Sequence, residues 1–347
     1  MTATRSITRL AILSVALITV VGCSSGASPA PSTAASVAAP SAAPSTAASP
    51  AAALKEYKDL TVGFIQTGSE GGWRAANTQS FKEEATKLGL TLKFYDAQNK
   101  FENQITAFRN FIADKDVDVI ILAALEAAGW DQVLQEAKAA GKTVVIQDRR
   151  IDGDPSLYAT YIGSDFVAEG RNAAKEMCRL LEGSAKKNVV ELVGNVGSSP
   201  AIDRGKGFRE AMADCGITVT KTQTANWSAT EGKDVMAAFL KDSKDIQGVF
   251  GQNDEMGLGA AQALKDAGIK PGVDVKIVTV DATKGAFEAM IAGDINVAVE
   301  CNPLLAPQVY EAALKAVNGG DLPEWVPSIE SIFRQETAAA DLPARKY

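Results

Sequence analysis

A chain of 347 residues with 35 Lys+Arg against 42 Asp+Glu carries a formal charge of -7, and it contains no histidine. The acidic balance argues against nucleic acid or anionic lipid as the main partner, and the missing imidazole removes the commonest metal ligand and general base. No spacing of Cys or Asp/Glu matches a zinc or EF-hand site, so no metal and no cofactor are expected.

The first predicted element is an export signal. Arg5 and Arg9 precede a largely apolar run from Leu10 to Val21, too short to span a bilayer comfortably. Val20-Val21-Gly22-Cys23 resembles the bacterial lipobox, which implies a signal peptide over residues 1–22 and lipidation of Cys23. The alternative is an ordinary signal peptide with an incidental cysteine. Residues 23–53 carry Cys23 and then an almost pure Ala/Ser/Pro stretch without charge or aromatic. Such a segment cannot bury enough apolar surface to offset its ordering entropy, so it reads as a disordered linker. The expected location is extracytoplasmic, at the cell surface or in the periplasm, on a lipid anchor.

From Leu54 onward about 290 residues remain, more than one core normally serves. Leu60 to Gln66 reads as a strand and Trp73 to Leu88 as a helix, with Phe81, Ala85 and Leu88 at helical spacing. Strand Thr91 to Asp96, helix Glu102 to Asp114, strand Val117 to Leu122, helix Trp130 to Ala140 and strand Thr143 to Gln147 follow. Near-continuous apolar strands such as Val117 to Leu122 suit parallel sheets covered on both faces. The rhythm resumes after Tyr161 with helix Asp165 to Leu181, strand Val189 to Val193, helix Ala201 to Asp214 and strand Ile217 to Thr222. Helix Thr230 to Lys241, strand Gly248 to Phe250, helix Met256 to Ala267, strand Lys276 to Val280 and helix Lys284 to Ala292 complete it. Right-handed crossovers of this kind build two doubly wound sheets.

With Cys23 lipidated, Cys178, Cys215 and Cys301 remain. Cys178 lies in a predicted helix and Cys215 ends the next one, so a Cys178–Cys215 disulfide with Cys301 unpaired is expected. Three separate buried thiols are the alternative.

Polar residues gather just beyond the strand C-termini, where wound sheets place ligands. Gly68 to Arg74 follows the first strand, Asp148-Arg149-Arg150 the fourth, and Ala201-Ile202-Asp203-Arg204 the strand ending at Val193. Asn226-Trp227, Gln252-Asn253-Asp254, Asp281 and Glu300 close the later strands. Indoles that pack on sugar C–H faces, with carboxylates, amides and guanidinia for adjacent hydroxyls, make the inventory of a carbohydrate site. Singly, each has a plainer reading: Trp73 as core, Trp227 as a loop cover, Arg204 as an ion-pair partner, Asp203 and Asp165 as helix-start carboxylates, Asp254 and Glu70 as caps. Trp325 reads as packing and Trp130 stays open.

Asp203-Arg204-Gly205-Lys206-Gly207-Phe208 and Gln252-Asn253-Asp254-Glu255-Met256-Gly257-Leu258-Gly259-Ala260 resemble two segments of the ribose-type periplasmic sugar-binding proteins. Gly68 to Arg74, Glu102-Asn103-Gln104-Ile105 and Val299-Glu300 are similar to the galactofuranose-binding branch of that family. The resemblance implies the type I periplasmic binding protein fold: two α/β, doubly wound, Rossmann-like lobes with parallel sheets, joined by a three-stranded hinge. One lobe would be residues 54–163 plus 301–329, the other 164–300 plus 330–347. It implies Trp73 and Trp227 as stacking aromatics, and Asp148, Arg149, Arg204, Asn253, Asp281 and Glu300 as polar ligand contacts. Arg74 stands where ribose binders have a second aromatic, which turns the expectation away from ribose, and Ala282 replaces the usual glycine.

The function implied is that of a non-enzymatic, monomeric receptor. It captures a monosaccharide of galactofuranose, galactose or pentose type by hinge closure and delivers it to ABC transporter permease subunits. A sugar-sensing lipoprotein serving a membrane receptor or kinase is the alternative. A nucleotide-dependent oxidoreductase is disfavoured because Gly68-Ser69-Glu70-Gly71-Gly72 has the wrong glycine spacing.

Overall fold

Short β-branched runs alternate with amphipathic segments from Thr61 to Glu300, and the chain winds accordingly. The computed structural model describes residues 54–69 and 71–347; the signal, Cys23, the linker and Glu70 lie outside the described residues. In chain order come β1 (Thr61–Gln66), α1 (Gly72–Leu88), β2 (Thr91–Asp96), α2 (Phe101–Ala113), β3 (Val119–Leu122), α3 (Asp131–Ala139), β4 (Thr143–Gln147) and β5 (Thr160–Gly163). The second series is α4 (Phe166–Leu180), β6 (Asn188–Val193), α5 (Ser199–Met212), β7 (Thr218–Thr224), α6 (Ala229–Asp242) and β8 (Gly248–Gly251). It continues with α7 (Asp254–Asp266), β9 (Lys276–Asp281), α8 (Lys284–Ala292) and β10 (Val297–Glu300). Last are α9 (Ala306–Val317), β11 (Trp325–Pro327), β12 (Ile332–Arg334) and α10 (Ala338–Asp341).

Two six-stranded sheets result, in the orders β11-β5-β4-β3-β1-β2 and β12-β10-β9-β8-β6-β7. All pairings are parallel except β12 on β10. The chain passes between lobes three times, after β5, after β10 and after β11. Each sheet is covered on both sides, because alternate residues of one strand serve different cores. Val62, Phe64, Val119 and Ile121 face α1 and α9, while Ile65, Ile120, Leu122 and Ile146 face α2 and α3. Among the described residues no helix is long and apolar enough to cross a membrane.

The alternation legible in the sequence stops short at three places. Helix α9 carries Ala306, Val309, Tyr310 and Ala313 at helical spacing, all buried in the first lobe, with the Tyr310 hydroxyl donating to the Phe81 carbonyl at 2.9 Å. Strands β11 and β12 have three residues each and add to existing sheet edges, too short to show a period of their own. Trp130 is fully buried against Phe101 and Phe108, and Trp325 lies parallel to Tyr161 with centroids 6.3 Å apart. Both are packing residues.

Helices α4 and α5 cross unusually closely. A Cβ at Gly170 would lie 2.1 Å from the Arg204 carbonyl oxygen, and one at Gly207 would lie 2.0 Å from that of Val167. Only glycine permits this approach, which sets Arg204 beside Glu169. Further along, a disulfide joins Cys178 of α4 to Cys215, with their Cα atoms 5.8 Å apart, and Cys301 is free and buried.

Candidate functional site

The polar loops converge where strand order reverses in each sheet, beside β1 and β6. From the first lobe, Trp73 and Arg74 open α1. The Trp73 Nε1–H donates to the Cys301 carbonyl at 2.6 Å, fixing the indole against the second hinge crossing. Arg74 Nη2 donates to Asp148 Oδ2 at 2.6 Å, and both side chains are about 5% exposed or less. Asp148 holds a positive φ of 62° just past β4, and the Tyr161 hydroxyl grips its carbonyl at 2.8 Å. Such backbone strain persists only where its surroundings enforce it. Arg149 follows, its Nη1 donating to the Leu125 carbonyl at 3.4 Å.

From the second lobe, Arg204 on α5 donates to Glu169 Oε2 at 2.6 Å and to the Gln252 carbonyl at 2.7 Å. Its Nη2 stands 3.7 Å from Asp281 Oδ1. Burial alone would favour a neutral guanidine, but Glu169 and Asp281 overcome it and hold Arg204 firmly charged. Burial pushes the Asp281 carboxyl well above its ordinary range. Arg204 opposes that shift, while Asp254 and Glu169 add to it. Asp254 is pushed up to about 6 by burial, against the bonds it accepts from Thr279 and Thr283. Asp254 therefore supports the turn bearing Asp281, a larger part than helix capping alone.

Trp227 also has strained backbone, with φ of 61° after Asn226 at 49°. Its ring lies flat against Gly194, where an added Cβ would sit 1.9 Å from a ring carbon. Asn253 both caps α7, accepting from the Met256 N–H at 2.9 Å, and donates to the Trp227 carbonyl at 3.3 Å. The Arg149 and Arg204 guanidinia, one from each lobe, lie 5.8 and 5.7 Å from the Trp227 ring centroid.

One cavity is lined by Trp73, Arg74, Asp148, Arg149, Arg204, Trp227, Asn253 and Asp281, with Pro200 and Cys301. Glu300 is the predicted site residue that does not line it. Its Oε1 accepts from Arg345 Nη1 at 2.7 Å and the Tyr347 hydroxyl at 2.8 Å, and its Oε2 from the Ser331 N–H at 2.9 Å. Behind the wall, Glu169 was not legible, and Gln252, although picked out among the polar residues past β8, was not legible as a partner of Arg204. Each meets Arg204 from a distant point in the chain. Glu169, Cys301 and Glu330 place three potential metal-ligand atoms within 4.8 Å of one another. Glu169 is already paired with Arg204.

Two wound lobes, three crossings and a cleft lined by indoles and paired charges define a two-lobed solute-binding protein. A family model for the periplasmic binding protein domain matches residues 62–321, and the chain belongs to that family. It is 42% identical over 293 residues to the galactofuranose-binding protein YtfQ of Escherichia coli (strain K12), covering 83% of this chain and 92% of that protein. A solved Mycobacterium smegmatis protein in complex with β-D-fucofuranose superposes with a TM-score of 0.81 at 45% identity, covering 83% of this chain and 95% of that one. The periplasmic binding component of the arabinose ABC transporter from Shewanella sp. ANA-3, bound to α- and β-L-arabinofuranose, gives 0.80 at 43% identity, covering 83% and 96%.

Proposed function

We propose that this chain is the solute receptor of an ABC sugar importer, held outside the cytoplasm by lipid at Cys23. It binds a monosaccharide of the furanose type, galactofuranose or a related galactose or pentose form, between the lobes and performs no chemistry on it. The observation that carries this reading is the presence of Trp73 of one lobe and Trp227 of the other in the lining of one cavity whose other lining residues are mostly charged or hydrogen-bonding. The Trp227 Nε1–H is buried and has no hydrogen-bond partner among the described residues, so it is a donor available to a ligand. Arg74 supports the galactofuranose-type assignment: it stands where the ribose-type resemblance implies a second aromatic, and it ties Asp148 down. Ligand contact with both walls favours the closed arrangement, the form a permease would recognise.

Calorimetric titration of the sugar-stripped protein with L-arabinose, D-fucose, D-galactose, D-ribose and methyl β-D-galactofuranoside tests the reading, with tryptophan fluorescence followed in parallel. Binding of a galactose- or arabinose-type ligand near micromolar, about -8 kcal/mol, is expected. Silence in both heat and fluorescence across the panel would refute it.

A further inference from the structure

The segment after α10 folds back on the wall of the cleft. Arg345 Nη1 donates to Glu300 Oε1 at 2.7 Å, and its Nη2 donates to the Ala282 carbonyl at 2.8 Å. The Tyr347 hydroxyl donates to the same Glu300 oxygen at 2.8 Å, and the Tyr347 main-chain oxygen accepts from the Lys284 N–H at 2.8 Å. The guanidinium is packed among the rings of Phe287, Phe333 and Tyr347, with centroids 4.3 to 5.3 Å away, and its side chain is only 9% exposed. This is a built, buried contact.

Its target is a strained turn. Asp281 and Ala282 have φ of 121° and 62°, values that L-residues rarely keep unless held. Asp254 holds one side of that turn through the Thr283 N–H and hydroxyl at 2.7 and 2.8 Å. Arg345 and Tyr347 hold the other, through the Ala282 carbonyl and the Lys284 N–H. Glu300 orients both tail side chains at once, and it ends the strand paired with β9, opposite Asp281 itself.

We infer that Glu300, Arg345 and Tyr347 form a latch that sets the Asp281–Ala282 turn for ligand, so that Glu300 and Arg345 are positioning residues rather than sugar contacts. The inference rests on the cleft reading above. It explains why an acid stands at the end of β10, where the resemblance implied a ligand: the acid is matched to an arginine 45 residues further on.

The test uses the full chain purified in detergent, with Arg345→Met, Arg345→Lys and Tyr347→Phe. Amide hydrogen exchange of ligand-free protein reads the turn directly, and it needs no sugar. Exchange at Ala282, Thr283 and Lys284 is expected to rise at least tenfold in Arg345→Met, with strand β6 unchanged, and Tyr347→Phe to give a smaller rise at the same amides. Unchanged exchange at those three amides would overturn the latch. In titrations with methyl β-D-galactofuranoside and L-arabinose, Arg345→Met is expected to weaken binding about tenfold, and Arg345→Lys to restore part of it. In an Asp281→Asn background the further loss should fall below twofold, because both changes act through one group. Full additivity would overturn the positioning role. If the unsubstituted protein binds neither sugar, the cleft reading fails while the exchange measurement still decides the latch. If Arg345→Met does not fold, the Lys and Tyr347→Phe variants decide it by the same exchange criterion.

Discussion

Arg150 of the first lobe and Asp203 of the second meet at 2.8 Å across the lobe boundary. Two backbone N–H groups also donate across it: that of Ala127 to the Gly197 carbonyl at 3.0 Å, and that of Gly72 to Glu255 Oε1 at 3.1 Å. These bonds tie the two lobes together in this structure, and parting of the lobes would break them. The Arg150 side chain is half exposed, so the pair contributes only about 0.2–1 kcal/mol. Arg150→Ala is therefore expected to weaken sugar binding by about 1.5- to 5-fold. Small-angle scattering should show a larger ligand-free radius and an unchanged sugar-saturated one. Identical ligand-free scattering would remove the pair from the closure equilibrium.

Trp227 depends on Gly194 as directly as on its own ring. Trp227→Ala removes a buried indole from the lining of the cavity, a loss of about 2–3 kcal/mol, or roughly 30- to 150-fold in affinity. Gly194→Ala leaves the indole present but collides with it, so a comparable loss of affinity is expected with all four tryptophans retained. A Gly194→Ala protein that binds sugar normally would mean that the ring moves aside freely and does not shape the site.

The strands were legible because their residues obey one rule along a short window, as in Val119-Ile120-Ile121-Leu122, where every residue is buried. Asp148, Arg149 and Trp227 were legible for a related reason: in a wound sheet the residues just past a strand are placed by the strand. Arg204, inside α5, was legible instead through its Asp203-Arg204-Gly205-Lys206-Gly207-Phe208 segment. What stayed hidden is set by pairs distant in sequence. Glu169 meets Arg204 from 35 residues away, and Glu300 meets Arg345 from 45. No local pattern distinguishes an acid that binds ligand from one that binds the tail. Helix α9 was legible in principle, since Ala306, Val309, Tyr310 and Ala313 share a face, but it falls after the alternation has ended.

The Cys178–Cys215 bond closes a loop with a sequence separation of 37 inside the second lobe. Restricting a loop of that size in the unfolded chain contributes about 4 kcal/mol. Replacing both cysteines by serine is expected to lower Tm on the order of 10 °C, with sugar affinity within twofold of the parent. A reductant should lower the Tm of the parent similarly and leave the double variant unmoved. Equal Tm values with and without reductant in the parent would show that the bond does not stabilise the fold.

The three hinge crossings meet at one carboxyl group. Glu330, past the third crossing, accepts from the Ser164 hydroxyl of the first and the Asn302 N–H of the second, the latter at 3.3 Å. The Ser328 hydroxyl donates to the same oxygen at 2.7 Å. Burial, reinforced by the nearby Glu169 carboxylate, pushes Glu330 up to about 9 despite those donors. An unfolded glutamate ionises near about 4.3. Between those values the folded protein holds a proton that the unfolded chain has released, so stability falls as pH rises through the window and levels off above it. Asp281, Asp254 and Glu169 are raised in the same direction, so the parent protein alone cannot assign the slope. Glu330→Gln keeps the acceptor oxygen and removes the titration. Its Tm should match the parent near pH 5 and exceed it by a growing margin toward pH 9. Parallel Tm curves across that range would place the Glu330 pKa near its ordinary value and leave the hinge indifferent to pH.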